Sequence, residues 1–241
     1  NVSCKKYLVF QVDIMNITYA SGSSDPLKLS FWYAVFFSSF SILLALPFLS
    51  SSEEDSARFL IRHSVRCALP WLLLALSASS LYRLRPGRLS QWLLNNRREF
   101  GVAFAVVMVW QIIFIAQLLL VTGKNIIGLF PTSGPIGYLL LTSDLIGYVF
   151  IFLMAATSFD IGRRYLSLLN WKRLHRTGIW FLWFSYFYTF GLLMMRQENL
   201  EDSLFYFLLW LLTLMPALIK LVDVKKIYCM KQFEKSSSAD S

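Results

Sequence analysis

Six long apolar segments, separated by short polar stretches, dominate the pattern of this chain. Each segment is close to the ~20 residues that a helix needs to cross the hydrocarbon core of a bilayer, where lipid offers the backbone no hydrogen-bond partner. The pattern therefore predicts an all-α integral membrane protein, a bundle of six transmembrane helices. The predicted spans are residues 29–49, 67–84, 100–122, 136–158, 174–195 and 204–222.

Lysines and arginines lie almost entirely on one side of the predicted bundle. In a chain that crosses the membrane six times, both termini and the second and fourth loops share one face, and that face carries 18 of the 23 basic residues. The other five are Arg58, Arg62, Arg66, Lys124 and Arg196. By the positive-inside rule, we expect both termini to be cytoplasmic.

Composition leaves little room for a second folded domain. Hydrophobic residues make up 56% of the chain and charged residues 15%, as in a single helical bundle. We expect residues 1–28 to form a cytoplasmic N-terminal segment, 29–222 the membrane domain, and 223–241 a basic, partly disordered cytoplasmic tail. Because the sequence begins at Asn1 without a methionine, we also expect a fragment or a late start.

The net charge of +9 raises the question of a nucleic-acid partner. The basic residues stand in short clusters beside the ends of the predicted spans, and they do not alternate with aromatic residues along an amphipathic face. This arrangement favours the head groups of anionic lipids as the counter-charge and predicts no nucleic-acid partner.

Few residues in the predicted spans carry reactive chemistry. The cysteines, Cys4, Cys67 and Cys229, are scattered, so they provide neither a disulfide framework nor a CxxC metal or redox pair. Asp144 is the only carboxylate expected within a span, where an ionisable side chain is a candidate functional group. Two interpretations of Asp144 stay open, a structural or interfacial aspartate and a residue that binds a proton or a substrate.

Two predicted outer loops have distinct patterns. Residues 51–66, before the second span, place Arg58, Arg62 and Arg66 four residues apart, which is typical of a short interfacial helix. Residues 122–137 hold two prolines and four glycines and predict an ordered outer lid or turn. On the other face, Pro86-Gly87 predicts a turn between the second and third spans.

The fifth span is dense in aromatic residues. Aromatic walls suit a flat cofactor such as a quinone, but the same density is ordinary material for packing and for contact with lipid. Both interpretations stay open at this stage. The residues are Trp180, Phe181, Trp183, Phe184, Tyr186, Phe187, Tyr188 and Phe190.

Two stretches of the sequence carry a resemblance to a known family. In residues 71–101 an apolar helix and a basic turn lead into Arg97-Arg98-x-x-Gly101, and Thr157-Ser158 is followed by Trp171-x-x-Leu-His175. Together with the six spans, these motifs make residues 65–222 similar to the ferric reductase-like transmembrane domain family. The similarity is strongest to its short bacterial members, the haem-binding membrane subunits of the periplasmic methionine sulfoxide reductase system.

The resemblance implies a location in a plasma membrane of the bacterial inner-membrane type. It also implies electron transfer across that membrane through haem b, whose iron takes axial nitrogens from histidines on facing helices. His175 matches one haem ligand of the family. The positions of its other ligands fall near Trp110 and near Tyr188, where this chain has no histidine. The second histidine of the chain, His63, belongs to the predicted outer loop, nearly a membrane thickness from His175.

Two functional hypotheses follow. In the first, the protein is an oxidoreductase-like subunit that holds haem or quinone and passes electrons to a membrane or periplasmic redox partner. In the second, it is a haem-free scaffold, assembly factor or sensor subunit of another membrane complex, because the motifs that it keeps set topology and not chemistry. A small transporter is disfavoured, since the segments lack broken helices and a polar path at the midplane.

Overall fold

The computed structural model describes residues 29–49, 52–125, 135–159, 162, 164–196 and 199–239, with side chains of the last helix as far as Lys226. The predicted N-terminal segment 1–28, with Cys4, therefore lies outside the described residues, as does most of the predicted outer lid at 122–137. The Cys229 side chain lies outside them as well.

The described residues form helices and contain no strand, which confirms the all-α class. A short 3-10 helix, Leu46–Phe48, follows the first α-helix. The α-helices are α1 Phe31–Leu43, α2 Glu53–Leu84, α3 Arg88–Asn95, α4 Arg97–Thr122, α5 Pro135–Ala156, α6 Leu168–Arg196 and α7 Leu200–Ala239.

Five helical stretches within the described residues have the length and apolar composition needed to cross a membrane, and α5 contributes a shorter apolar stretch, Leu141–Ala156. The five are Phe31–Phe48, Glu53–Leu84, Arg97–Thr122, Leu168–Met195 and Leu200–Lys226. These helices indicate a multi-pass membrane protein, in agreement with the hydropathy pattern.

Apolar and polar side chains are distributed between the surface and the interior of the bundle as in a protein solvated by lipid. Large apolar side chains point outward, with Trp32 75% and Leu120 85% exposed, whereas the hydroxyl-bearing Ser38, Ser64 and Thr213 are fully buried. Each of these three hydroxyls donates to a carbonyl of its own helix three residues earlier. Small residues whose polar atoms are satisfied in this way let helices approach closely without a lipid-exposed polar group.

Helices α2 and α4 pack along most of their length and form the centre of the bundle. Helix α1 lies against α4, α7 lies against both α6 and α2, and α5 lies against α6. At the contact between α5 and α6, a Cβ added to Gly178 would lie 2.7 Å from Met154 Sδ, so the absence of a side chain permits the close approach. The core shared by these helices includes Leu69, Leu72, Phe104, Val107, Leu182, Tyr186 and Phe190.

Contacts between helix ends show that successive long helices run in opposite directions. At one end, Leu29 N donates to Asn96 Oδ1 over 2.6 Å, and Phe31 lies edge-on against Phe159. At the other end, a ring nitrogen of His63 lies 3.1 Å from Ser41 O. We call the first the basic end, where α1, α4 and α6 begin and α2 and α5 finish, and the second the opposite end.

Helix α2 is longer than the second predicted span, because residues 53–66 continue the helix instead of forming a loop. The helix begins after Ser52, whose Oγ accepts a hydrogen bond from Asp55 N over 3.4 Å. Acidic residues in the first turn also suit the positive end of the helix dipole. The predicted helical stripe of arginines is therefore present, and from it Arg66 Nη2 donates to Tyr206 OH of α7 over 2.7 Å.

Two further elements differ from the predicted pattern. After the turn at Pro86-Gly87, α3 forms an additional short helix whose Leu93 is buried against the bundle. Helix α7 does not finish near Val222 but continues to Ala239, where the sequence favours a partly disordered tail.

Candidate functional site

The two motifs that carry the family resemblance meet at the basic end of the bundle. Trp171 and His175 lie one turn apart near the start of α6, and Arg97 and Arg98 occupy the first turn of α4. Arg97 is near enough to His175 for its charge to act on the imidazole. The structure thus places together residues that the sequence separates by more than 70 positions.

Trp171 connects the start of α6 to the end of α5. Its indole Nε1 donates to the backbone oxygen of Thr157 over 3.0 Å, and the Thr157 hydroxyl donates back into α5, to Leu153 O, over 2.7 Å. The half-buried indole therefore has a fixed position between the two helices. This places the Thr157-Ser158 and Trp171-x-x-Leu-His175 motifs in direct contact.

His175 stacks on this fixed indole. The ring centroids of Trp171 and His175 lie 4.5 Å apart, with an angle of 37° between the planes. The Nδ1 atom of His175 is buried and has no hydrogen-bond partner among the described residues. A buried nitrogen without a partner is uncommon in folded proteins and marks a candidate contact for a ligand atom.

Arg97 and Arg98 point to different neighbours, because consecutive helical residues are about 100° apart around the axis. Arg97 Nε donates to Ala75 O of α2 over 2.9 Å, which leaves its terminal nitrogens available. Arg98 lies over the ring of Phe159, with its guanidinium carbon 5.8 Å from the centroid. Only Arg97 therefore contributes to the surroundings of His175, while Arg98 holds the segment after α5.

Trp110 and Tyr188 lie elsewhere in the bundle. Trp110 Nε1 donates to Ser39 Oγ of α1 over 3.2 Å and stacks on Phe114. Tyr188 is 39% exposed on the outer surface of α6. Trp110 is 13 positions beyond Arg97 and Tyr188 is 13 positions beyond His175, which corresponds to a rise of about 20 Å along each helix. Neither residue can share a ligand with His175.

The residue of α6 that faces the core at this level is Tyr186. It follows His175 by three helical turns on the same stripe, is 7% exposed, and its hydroxyl donates to Met108 Sδ of α4 over 3.6 Å. Its ring also packs against Phe104 and Phe190. This packed contact between α4 and α6 occupies the region in which the resemblance calls for haem ligands.

The histidines of this chain do not fit a bis-histidine haem. His63 is held near Ser41 at the opposite end, whereas His175 lies beside Arg97, which is hydrogen-bonded to Ala75. From His63 to Ala75 the rise along α2 is about 18 Å. Two axial nitrogens must lie on the two sides of a single iron atom, so this separation rules out a shared haem.

Asp144 is not the only carboxylate on the helices that are long and apolar enough to cross a membrane. Glu99 and Asp223 also lie on membrane-spanning helices and are 7% and 2% exposed, whereas Asp144 is exposed on α5. No described residue forms an ion pair with Asp144. Asp144 therefore lies on the outer surface of the described bundle, and both interpretations of this residue stay open.

An ion pair that the sequence pattern does not reveal lies next to the motif residues. Arg83 Nε of α2 donates to both carboxylate oxygens of Asp223 on α7, over 3.1 and 3.0 Å. Arg176 and Lys220 belong to the same surroundings, because the charges of Arg83, Arg97, Arg176 and Asp223 all act on Lys220. The basic end thus combines charged side chains from four different helices.

A second polar contact lies at the opposite end. The same ring nitrogen of His63, Nε2, is 3.1 Å from Ser41 O and 3.2 Å from Cys67 Sγ. His63 and Cys67 are one turn apart on α2, so both face α1. Within the described residues, no group of three or more potential metal ligands occurs.

Comparisons with known proteins add no family assignment to this geometry. No protein-family model, no curated protein and no solved structure matches the chain.

Proposed function

We propose that this protein is a haem-free subunit of a membrane complex, acting as a scaffold, assembly factor or sensor. The observation that carries this proposal is the contact between Tyr186 and Met108, which fills the space between α4 and α6 with packed side chains. Filling that space with a buried aromatic ring stabilises the bundle by close packing. The protein then needs no cofactor to hold its central helices together.

The visible absorption spectrum of the purified protein tests this function. The full chain is expressed with ample haem supply, purified in detergent, and measured before and after reduction with dithionite, beside His175→Ala. We expect folded protein without a Soret band in either form. Haem near one equivalent per chain that is lost in His175→Ala would overturn the proposal.

A second candidate is an electron-transfer subunit with His175 as a single protein ligand or with a bound quinone. The buried Nδ1 atom of His175, which has no partner among the described residues, favours it. Extraction of the purified protein with organic solvent, followed by quinone analysis, tests the second form of this candidate.

We further propose that the six apolar segments cross an inner membrane with both termini in the cytoplasm. The alternating helix directions and the excess of basic residues at one end support this orientation. Fusions to alkaline phosphatase, which is active only outside the cytoplasm, test it. A fusion after Lys124 should be active, and one after Arg85 should be inactive. The reverse result would place the basic end outside.

A further inference from the structure

The basic end of the bundle gathers more positive than negative charge from four packed helices. Arg83 comes from α2, Arg97 from α4, Arg176 from α6 and Lys220 from α7, and the three arginines lie close enough to Lys220 for their charges to act on it. The carboxylate of this group, Asp223, is 2% exposed and is held by Arg83 through both of its oxygens. Arg83 is therefore neutralised by a direct ion pair, and none of the other three cations forms such a pair with a described residue.

The remaining cations form no direct ion pair with a described residue, and the carboxylate whose charge acts on Lys220, Asp223, is already held by Arg83. These cations are Arg97, Arg176 and Lys220, and Glu99 projects from the other side of α4 from Arg97, two positions away in the helix. Cations held close together at the edge of a low-dielectric bundle repel each other, and a bound anion offsets that repulsion. We call the group Arg97, His175, Arg176 and Lys220 the basic cluster.

Several members of this cluster are fixed in place before any ligand arrives. The hydrogen bond from Arg97 Nε to Ala75 O fixes that guanidinium, while its terminal nitrogens have no hydrogen-bond partner among the described residues. Trp171 holds the imidazole of His175, whose buried Nδ1 has no partner among described residues. Preorganised donors of this kind lower the entropic cost of binding a ligand.

The donors match the chemistry of a phosphate group. Guanidinium groups present paired N–H donors that fit two phosphate oxygens, and a lysine ammonium adds a mobile point charge. The cluster also lies at the end of helices that are long and apolar enough to span a membrane, and basic pockets between helices at such ends bind anionic lipids. We propose that the basic cluster binds the phosphate group of an anionic phospholipid or of a soluble phosphate compound.

Native mass spectrometry of the full, delipidated chain in detergent tests this site. The protein is titrated with phosphatidylglycerol and, as the zwitterionic reference, with phosphatidylcholine. We expect wild-type protein to retain one phosphatidylglycerol more strongly than phosphatidylcholine. In Arg176→Gln and in Lys220→Gln that affinity should fall about tenfold, as expected for the loss of one charge-assisted hydrogen bond.

Matched variants at the opposite end separate this site from general electrostatic attraction. Arg62→Gln and Lys124→Gln each remove one exposed cation and should bind phosphatidylglycerol as the wild-type protein does. Equal losses in these controls, or no loss in the cluster variants, would overturn the proposal. Arg176 is exposed and forms no hydrogen bond with a described residue, so Arg176→Gln decides the outcome even where Lys220→Gln folds poorly.

A second arm identifies the source of the phosphate. Inorganic phosphate alone is titrated into wild-type protein and Arg176→Gln while the unfolding temperature is followed. A rise confined to the wild-type protein assigns the site to soluble phosphate compounds, and no rise beside selective lipid binding assigns it to a lipid head group. Neither result depends on haem, so this test is independent of the absorption spectrum.

Discussion

Arg83 and Asp223 lie 140 positions apart in the sequence, yet Nε of the arginine is within 3.1 Å of both carboxylate oxygens of the aspartate. Their side chains differ in exposure, with 30% for Arg83 and 3% for Asp223. The pair connects α2, at the centre of the bundle, to α7 at its edge. Because of this difference in exposure, substitutions of the two residues should change the free energy of unfolding by unequal amounts.

We expect Arg83→Ala to destabilise the protein more than Asp223→Asn. Removal of the arginine leaves a buried carboxylate without a partner, whereas an arginine that has lost its partner can still reach water. For Arg83→Ala we expect a loss of about 2–3 kcal/mol, below the ~3–5 kcal/mol typical of a fully buried pair. The measurement is the free energy of unfolding in mixed micelles.

Arg58→Ala provides the control for this prediction, because Arg58 pairs with Glu54 within α2 and both side chains are about 40% exposed. An exposed pair one turn apart contributes about 0.3–0.5 kcal/mol. Equal losses for Arg58→Ala and Arg83→Ala would mean that the Asp223 carboxylate is solvated and not buried.

Tyr186 and Tyr188 should respond very differently to truncation. Tyr186→Ala removes a buried ring from the contact with Met108 and should cost about 3–5 kcal/mol of unfolding free energy. Tyr188→Ala removes a ring on the outer surface of α6 and should change it by less than about 0.5 kcal/mol. Thermal unfolding of the two variants in detergent makes the comparison, and a reversed order would show that α6 is rotated about its axis.

Gly123 and Gly101 differ in backbone conformation and form a matched pair. Gly123 follows the end of α4 with φ of 63°, whereas Gly101 lies inside that helix, and an added Cβ would meet no atom within 4 Å at either position. Gly123→Ala should destabilise by about 1 kcal/mol, since alanine is strained in the left-handed region. Gly101→Ala should stabilise by about 0.5–1 kcal/mol through helix propensity. Unfolding midpoints of both variants check the signs.

A crosslink between α1 and α2 should form when a cysteine replaces Ser41 but not when it replaces Ser39. In a chain that keeps Cys67 but carries Cys4→Ser and Cys229→Ser, Ser41→Cys should react with Cys67 through a short bis-methanethiosulfonate. The reason is that Ser41 O lies only 3.8 Å from Cys67 Sγ. Ser39→Cys should not react, because Ser39 faces Trp110 of α4. Crosslinking is read from gel mobility, and equal yields would contradict the register of α1.

The sequence predicts which segments form helices more accurately than it predicts where each helix ends and which residues contact a neighbouring helix. Apolar composition locates the core of every long helix, but the charged first turns of α2 lower its hydropathy and make 53–66 resemble a loop. The aromatic residues of the fifth span surround the helix on all sides, so they give no period that distinguishes Tyr186 from Tyr188. Only the packing against α4 makes that distinction.

The sequence predicts only part of the candidate site, because it shows local motifs but not contacts between distant segments. Local motifs identify Arg97, Trp171 and His175. The reason is that Arg97-Arg98-x-x-Gly101 and Trp171-x-x-Leu-His175 each cover about one helical turn and can be read directly from the sequence. Asp223 lies just beyond the predicted sixth span, and nothing in its neighbourhood signals a partner 140 positions away. A contact of that kind depends on how α2 and α7 pack, and a single sequence does not contain that information.

Helix α7 spans 40 residues, which corresponds to about 60 Å, roughly twice the thickness of the hydrocarbon core. A membrane cannot enclose such a rod, and the part beyond Asp223 extends past the basic end of the bundle. Since Asp223 is held by Arg83, the base of this projecting segment is attached to α2, the central helix, as well as to α6.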